Sequence, residues 1–339
     1  MRGGTPETTM TEPKRHESKP HPLVSVITPT YNRATYLDET IQSVLGQDYP
    51  SIECLVLDDG STDNTLAVLR KYAGRIAIES HPNMGEAKTV NKGFLLARGD
   101  ILVVVNSDDP LLPGAVSTAA TFMQAHPGVL AAYPDWLEIG PQSEPIRTIE
   151  LPDYDIFNML LSFSVSIGPG TFIRRSALEM VGIRDTQFRY VGDLEFWFRL
   201  ALAGPLGHIR KTLATHRTHP TAASVSERGS LMAEELVRMV QKVYTNPALP
   251  PELRKQRGRV LGEAHYVAIS YCGASRRAML EHHLASLTCH PLNYGKHVCH
   301  VLLSTTLGRI LRTLLRPVYR PLSRWSVVRR LMGREERNT

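Results

Sequence analysis

From about residue 23 to residue 133, short apolar runs alternate with segments whose apolar residues recur at helical spacing. Leu23 to Thr28 reads as a buried strand, bounded by Pro29. Leu37, Ile41, Val44 and Leu45 follow at helical spacing. Cys54 to Leu57 is a second strand, ended by Asp58-Asp59-Gly60-Ser61, and Ser61 or Asp63 suits the N-cap of the helix after it. Arg75 to Glu79 is a third strand. Ala87, Val90, Phe94 and Ala97 mark a helix that Gly99 closes. Ile101 to Val105 is β-branched almost throughout and stops at Asn106-Ser107-Asp108-Asp109-Pro110. Val116, Ala119, Ala120 and Met123 predict one more helix, and Val129 to Tyr133 one more strand. Strands this short and apolar, joined by helical crossovers, imply an α/β fold whose mostly parallel sheet is covered by helices on both faces.

Charge divides the chain unevenly. The net charge is +6, yet residues 306–339 hold nine Arg and no Lys against Glu335 and Glu336, leaving the rest close to neutral. A nucleic-acid-binding body would spread basic charge over its folded surface, so that class is set aside. At 42% hydrophobic and 21% charged, the chain is an ordinary globular one. Cys54, Cys272, Cys289 and Cys299 are too scattered for a disulfide framework. No apolar run is long enough for a simple membrane-spanning helix, and no signal-peptide core is visible. The expected organisation is a disordered leader over 1–21, an α/β body over 22–220, a helical region over 221–300 and a basic tail over 301–339. In the tail, Arg309, Arg312, Arg316 and Arg320 recur at helical spacing, with Leu303, Leu307, Ile310, Leu311, Leu314 and Leu315 filling much of the other side. This basic amphipathic pattern suits an anionic membrane surface; a helix packed on the body is the alternative.

In parallel sheets, ligands sit at the carboxyl ends of strands, near a reversal of strand order. The acidic loops 58–63 and 106–109 fall there. Carboxylates at a strand end can ligate Mg²⁺ or Mn²⁺ that also holds phosphate oxygens. Alone, Asp108-Asp109 also reads as a turn before Pro110, and Asp59-Gly60 as an everyday turn. Neither a G-x-G-x-x-G nor a Walker A pattern is present, which weakens dinucleotide and P-loop readings.

Five ordered motifs over roughly 180 residues resemble family 2 glycosyltransferases. They are Val24-Ser-Val-Ile-Thr-Pro-Thr-Tyr-Asn-Arg33; Leu55-Val-Leu-Asp-Asp-Gly-Ser-Thr-Asp-Asn-Thr65; Asn83-x-Gly85 with Asn91-x-Gly93 and Ala97-x-Gly-Asp100; Asn106-Ser-Asp-Asp109; and Val191-Gly-Asp-Leu-Glu-Phe-Trp-Phe-Arg-Leu200. The resemblance implies a GT-A fold, a nucleotide-diphosphate sugar donor, most often UDP-linked, and an inverting displacement. It places Pro29 and Thr30 beside the nucleotide and Asp59 on the base. It puts Asp108 on ribose or sugar, Asp109 on a divalent metal, and Asp193 in the role of general base. A sugar hydroxyl is a poor nucleophile, so a positioned carboxylate must accept its proton. A divalent cation would stabilise the diphosphate leaving group.

The acceptor-side motif reads Gly192-Asp193 where the family often has Glu-Asp, so Glu195 is a second candidate base. A helix N-cap is the alternative role for Asp193. Trp197 is core or a border of the acceptor. The Q-x-x-R-W element of processive members is absent, which favours single additions. Thr215-His-Arg-Thr-His219 resembles the loop after the acceptor helix. There, Arg217 or His219 would reach the diphosphate, or His219 the metal, unless the loop is merely exposed. Lys88 and Lys92 read as solvated helix lysines. The Cys/His-rich stretch 272–300 matches no structural zinc spacing and reads as packing. The expected activity is a metal-dependent glycosyltransferase of cell-surface glycan synthesis, peripheral on the inner membrane face. Its acceptor would be a saccharide or a lipid-linked saccharide. The rivals are a nucleotidyltransferase and a catalytically inactive sugar-nucleotide-binding module.

Overall fold

The computed structural model describes residues 21–162, 167–219, 230–272 and 275–293. The expected leader and the basic tail 301–339 lie outside the described residues.

The described chain divides into two compact units. The first takes in 21–154, 167–186 and 199–219. Its centre is an eight-stranded sheet. β1 (Val24–Thr30), β2 (Ile52–Asp58), β3 (Ala77–Ser80) and β4 (Ile101–Val104) are parallel neighbours in the order β3-β2-β1-β4. Beyond β4 the sheet is mixed. β7 (Phe172–Arg174) runs antiparallel to β4 and to β5 (Ala131–Ile139). β5 forms an antiparallel pair with β6 (Pro145–Ile149) and a parallel pair with β8 (Leu206–Arg217). Helices α1 (Leu37–Leu45), α2 (Thr65–Arg70), α3 (Glu86–Leu96) and α4 (Ala115–Ala125) supply the crossovers.

Every residue of β1 is buried, as a strand covered on both faces requires. Burying each Val or Ile of such a strand contributes about 1.5–3 kcal/mol. Gly93 shows how closely α3 lies on the sheet. A Cβ there would stand 2.4 Å from Ile27 Cγ2 and 3.2 Å from Leu57 Cδ1. The apolar positions read from the sequence at 116, 119, 120 and 123 are all buried in α4.

Several boundaries differ from expectation. The third strand starts later, at Ala77, because Arg75 is still in the turn that follows α2, with its amide on Tyr72 O. The fifth strand runs on to Ile139, since β8 and β6 both pair with its second half. Asn64 occupies the N-cap position of α2. Asp63, one residue earlier, accepts the Thr65 amide at 2.9 Å, whereas Ser61 Oγ accepts the Asn32 amide. α3 ends before Gly99, at Leu96, because its C-cap Ala97 has a ψ of 142° and is already extended. Thr215 to Arg217 are the end of β8, with 218 and 219 following directly, so this segment is not an exposed basic loop.

The second unit takes in 155–162, 187–198, 230–272 and 275–293. It is helical: α5 (Ile156–Ser162), the first turns of α7 (Gly192–Ala203), α8 (Ser230–Val243), α9 (Pro251–Lys255), α10 (Arg257–Ala268) and α11 (Arg276–Cys289). α6 (Arg175–Val181) belongs to the first unit. The segment 187–198, expected within the α/β body, belongs with these helices because α8 holds it through buried polar contacts. Its core includes Phe188, Phe196, Leu236, Val240, Val260 and Ala264.

Candidate active site

β1 stays paired with β2 as far as Thr30 and Asp58, but with β4 only as far as Ile27 and Val104. The sheet therefore parts at its carboxyl edge between β1 and β4, where the strand order reverses. Pro29 fits this parting. The Val105 amide donates to Ile27 O, so the N–H that Pro29 lacks would face the side from which β4 has withdrawn. The Thr30 side-chain oxygen, one residue on, is buried without a hydrogen-bond partner.

The loops after β1 and β2 are tied together. Asn32 lies at φ 52°, in the left-handed region that Asn tolerates when its side chain bonds locally. Its Oδ1 accepts the amides of Thr62 at 2.8 Å and Asp63 at 3.3 Å. Asp58 accepts the Ser61 amide and the Ser80 hydroxyl, closing the turn. Asp59 is 4% exposed. One carboxylate oxygen accepts the Met84 amide at 2.7 Å, the other the Gly85 amide at 2.9 Å, and His81 Nδ1 lies 3.4 Å away. Gly85 has φ +90°, a conformation that L side chains rarely adopt. The Asn83-x-Gly85 motif thus presents two amides that orient Asp59.

Asp108 and Asp109 part ways after β4. Asp108 Oδ2 accepts from Arg33 Nε at 3.2 Å and lies 3.0 Å from His219 Nε2. Asp109 is buried, and both of its oxygens are engaged: Oδ1 accepts the Arg217 amide at 2.7 Å and Oδ2 the Asn106 side-chain amide at 2.9 Å. Burial, and then the neighbouring Asp108 charge, push its carboxyl up to about 6. The Arg217 side chain is fully buried. Its Nε donates to Asp108 O, its Nη1 to Gly140 O and Ser143 Oγ, and its Nη2 to Glu39 Oε2 at 2.6 Å. All three guanidinium nitrogens are engaged within the protein, so Arg217 is a strut between β8, the β4 loop and α1, and does not reach for a diphosphate. His219, also buried, is the member of this segment that meets the Asp108 carboxylate.

Two contributors escaped sequence reasoning. Arg33 stands in the opening motif, but only the fold brings it to Asp108. Glu39 gives no local signal, since its partner Arg217 lies 178 residues away. Of the two lysines on α3, Lys88 is exposed and Lys92 pairs with Glu79 at 2.5 Å.

The second unit holds the other candidates. Asp193 is exposed in the first turn of α7, where one oxygen accepts the Leu194 amide at 2.7 Å. Glu195 is 1% exposed and pairs with Lys242 Nζ at 2.7 Å, which makes it a packing group. Phe196 and Phe198 are buried, and Trp197 is half-buried.

Among the described residues no three His, Cys, Asp or Glu side chains cluster as a complete cation cage. Asp108 and His219 form a two-group donor set instead. The carboxylate suits Mn²⁺ or Mg²⁺ and the imidazole favours the transition metal, with phosphate oxygens and water completing the shell.

Residues 25–182 match the family model described as glycosyl transferase family 2. An uncharacterized glycosyltransferase of Haemophilus influenzae is 30% identical over 220 residues, covering 60% of this chain and 68% of that relative. Among solved structures, Staphylococcus aureus TarS 1-349 in complex with UDP-GlcNAc superposes with a TM-score of 0.61 at 20% identity, over 79% of each chain. The mannosyltransferase PcManGT of Pyrobaculum calidifontis, in complex with GDP-Man and Mn²⁺, gives 0.57 at 18% identity, over 92% of this chain and 84% of that one. With its parting sheet edge and its ordered motifs, the chain belongs to glycosyl transferase family 2 and has the GT-A fold.

Proposed function

We propose that the chain transfers one sugar at a time, with inversion, from a nucleotide-diphosphate sugar to a hydroxyl of a saccharide or lipid-linked acceptor in cell-surface glycan synthesis. The observation that carries this reading is the strand-end pair of carboxylates, Asp59 held by two amides and Asp108 facing His219. UDP is the favoured nucleotide. In TarS, a chain of the same fold is solved with UDP-GlcNAc. Asp59 is an acceptor-only group with lone pairs left for a base N–H such as uracil N3–H. Thr30, with its unpartnered hydroxyl, and Pro29 line the nucleotide.

A divalent cation, Mn²⁺ or Mg²⁺, would be held by Asp108 and His219, with Asp109 beside them. When bound it would neutralise charge growing on the diphosphate. The chain's own groups do the rest. The acceptor oxygen bonds to the anomeric carbon as the bond from that carbon to the phosphate oxygen breaks. The electron pair leaves on the nucleoside diphosphate. Asp193, exposed at the start of α7, takes the acceptor's proton. Arg33 and Arg217 fix the Asp108 loop. The basic tail would hold the enzyme on the inner face of the membrane, near a lipid-linked acceptor. No described helix is long and apolar enough to cross a membrane.

Calorimetric titration of UDP-, GDP- and dTDP-sugars, each with and without Mn²⁺, tests the reading. Binding of one UDP-sugar tightened by the cation, followed by slow metal-dependent hydrolysis, is expected. Binding without any turnover would identify an inactive sugar-nucleotide module. No binding across the panel would overturn the donor assignment.

A further inference from the structure

Within the second unit, one face of α8 grips the turn that leads into α7. Glu235 is 2% exposed, and its two carboxylate oxygens accept the consecutive backbone amides of Arg189 at 2.9 Å and Tyr190 at 2.8 Å. One turn further on, Arg238 donates to Gln187 O at 2.8 Å, lies 5.0 Å from the Phe188 ring centroid, and stands 3.7 Å from the Glu235 carboxylate. At the next turn, Lys242 pairs with Glu195 at 2.7 Å and caps the same Phe188 ring at 5.5 Å. The positions 235, 238 and 242 share one helical face. Their partners run from 187 to 195 and bracket Asp193. All of these residues lie beyond the matched stretch 25–182.

We infer that Glu235 is a positioning residue for the proton acceptor of the reaction. The inference rests on the assignment of that role to Asp193. An ionised carboxylate is an acceptor on both oxygens, so it can take two adjacent N–H groups without conflict. Buried charge-assisted bonds of this kind are strong and short, and they define the backbone they hold. The segment from Arg189 to Val191 has no strand or helix ladder of its own before α7 begins. Glu235 therefore sets where the helix starts and where Asp193 stands. Arg238 offsets the buried charge.

The test compares Glu235→Gln, Glu235→Asp and Asp193→Asn in the full-length chain. The probe is hydrolysis of the best-bound member of the UDP-, GDP- and dTDP-sugar panel with Mn²⁺. Glutamine keeps the shape but turns one acceptor into an NH₂ that faces a backbone N–H. A base displaced by a fraction of an ångström loses rate steeply, so kcat is expected to fall about 10–100-fold. Donor Kd should stay at the wild-type value, because Asp59 and Asp108 are untouched. The acid limb of the kcat–pH profile, which reports ionisation of the base, should move. Glu235→Asp, which keeps an acceptor-only group, should recover part of the rate. Should Glu235→Gln fail to fold, Arg238→Gln carries the same readouts with the carboxylate left in place. Wild-type kcat in Glu235→Gln beside a dead Asp193→Asn would overturn the positioning role alone. An active Asp193→Asn would overturn the base assignment and the inference with it. A loss of rate that merely tracks donor affinity and melting temperature would make Glu235 a structural clamp.

Discussion

Asp108 and Asp109 share a strand end and a peptide bond, yet their surroundings give them different work. Asp109 is closed in by the Arg217 amide and the Asn106 side chain, and burial raises its proton affinity. Asp108 remains 15% exposed on its side chain and faces His219. The cation is therefore expected to depend more on Asp108. Asp108→Asn should weaken Mn²⁺ binding by at least the roughly 10–100-fold that follows loss of a group merely supporting a metal ligand. Asp109→Asn should leave Mn²⁺ affinity closer to wild type and lower the melting temperature instead, because it puts an NH₂ against a buried donor. Calorimetry with Mn²⁺ in the presence of UDP, read beside thermal melts, checks both. The reverse pattern would assign the cation to Asp109.

At the scale of elements, two contacts decide how helices sit. α3 approaches β1 and β2 through Gly93, and the space a Cβ would need is filled by Ile27 and Leu57. Gly93→Ala should destabilise the first unit by about 1–3 kcal/mol through overpacking, measured by urea unfolding. An unchanged midpoint would mean that Ile27 can turn away. In the second unit, α10 and α11 pack so closely that His265 Nδ1 and His282 Nδ1 stand 2.9 Å apart, while Ser286 Oγ donates to Gly262 O. Burial, and then the neighbouring His282, press the His265 imidazole down to about 4. The unfolded imidazole titrates near 6.5, so between these values the unfolded chain binds the extra proton. This contribution to stability is full above about pH 6.5 and is lost as pH falls towards about 4. The melting temperature should be lower at pH 5 than at pH 7.5, and His265→Leu should narrow the gap. An equal gap in both proteins would place the pH sensitivity elsewhere.

At the scale of the whole molecule, the division of labour follows charge and chain order. The sheet unit carries Pro29, Thr30, Asp59, Asp108 and Asp109, and the helical unit carries Asp193. All of the basic excess lies in 306–339. Arginines near an anionic surface contribute about 1 kcal/mol each, screened within about 10 Å at 0.1 M salt, and the Leu/Ile side would add a part that salt does not reach. Deleting 301–339 should release the protein from anionic phosphatidylglycerol vesicles and leave donor binding intact. Raising salt should weaken full-length attachment only partly. A full-length protein that ignores such vesicles at low salt would remove the membrane role.

The sequence by itself determined the parallel half of the sheet, because β1, β2 and β4 are local apolar runs and each stops at its own turn-forming cluster. It determined the Asp59 loop and the presence of an acidic pair after β4 for the same reason: those residues lie within a few positions of their strand ends. The tertiary structure alone decided which of the paired aspartates faces outward, since that depends on Arg217 and His219 arriving at the end of β8. It alone showed that Arg217 is a strut bound to Glu39 and that Glu195 is a packing group neutralised by Lys242. It alone brought Glu235 to the amides of Arg189 and Tyr190. Each of these is a polar contact between residues from about 45 to nearly 180 positions apart. A periodic pattern records which face of an element is apolar. It holds no record of which distant group satisfies a buried charge, and that is settled only when the elements pack.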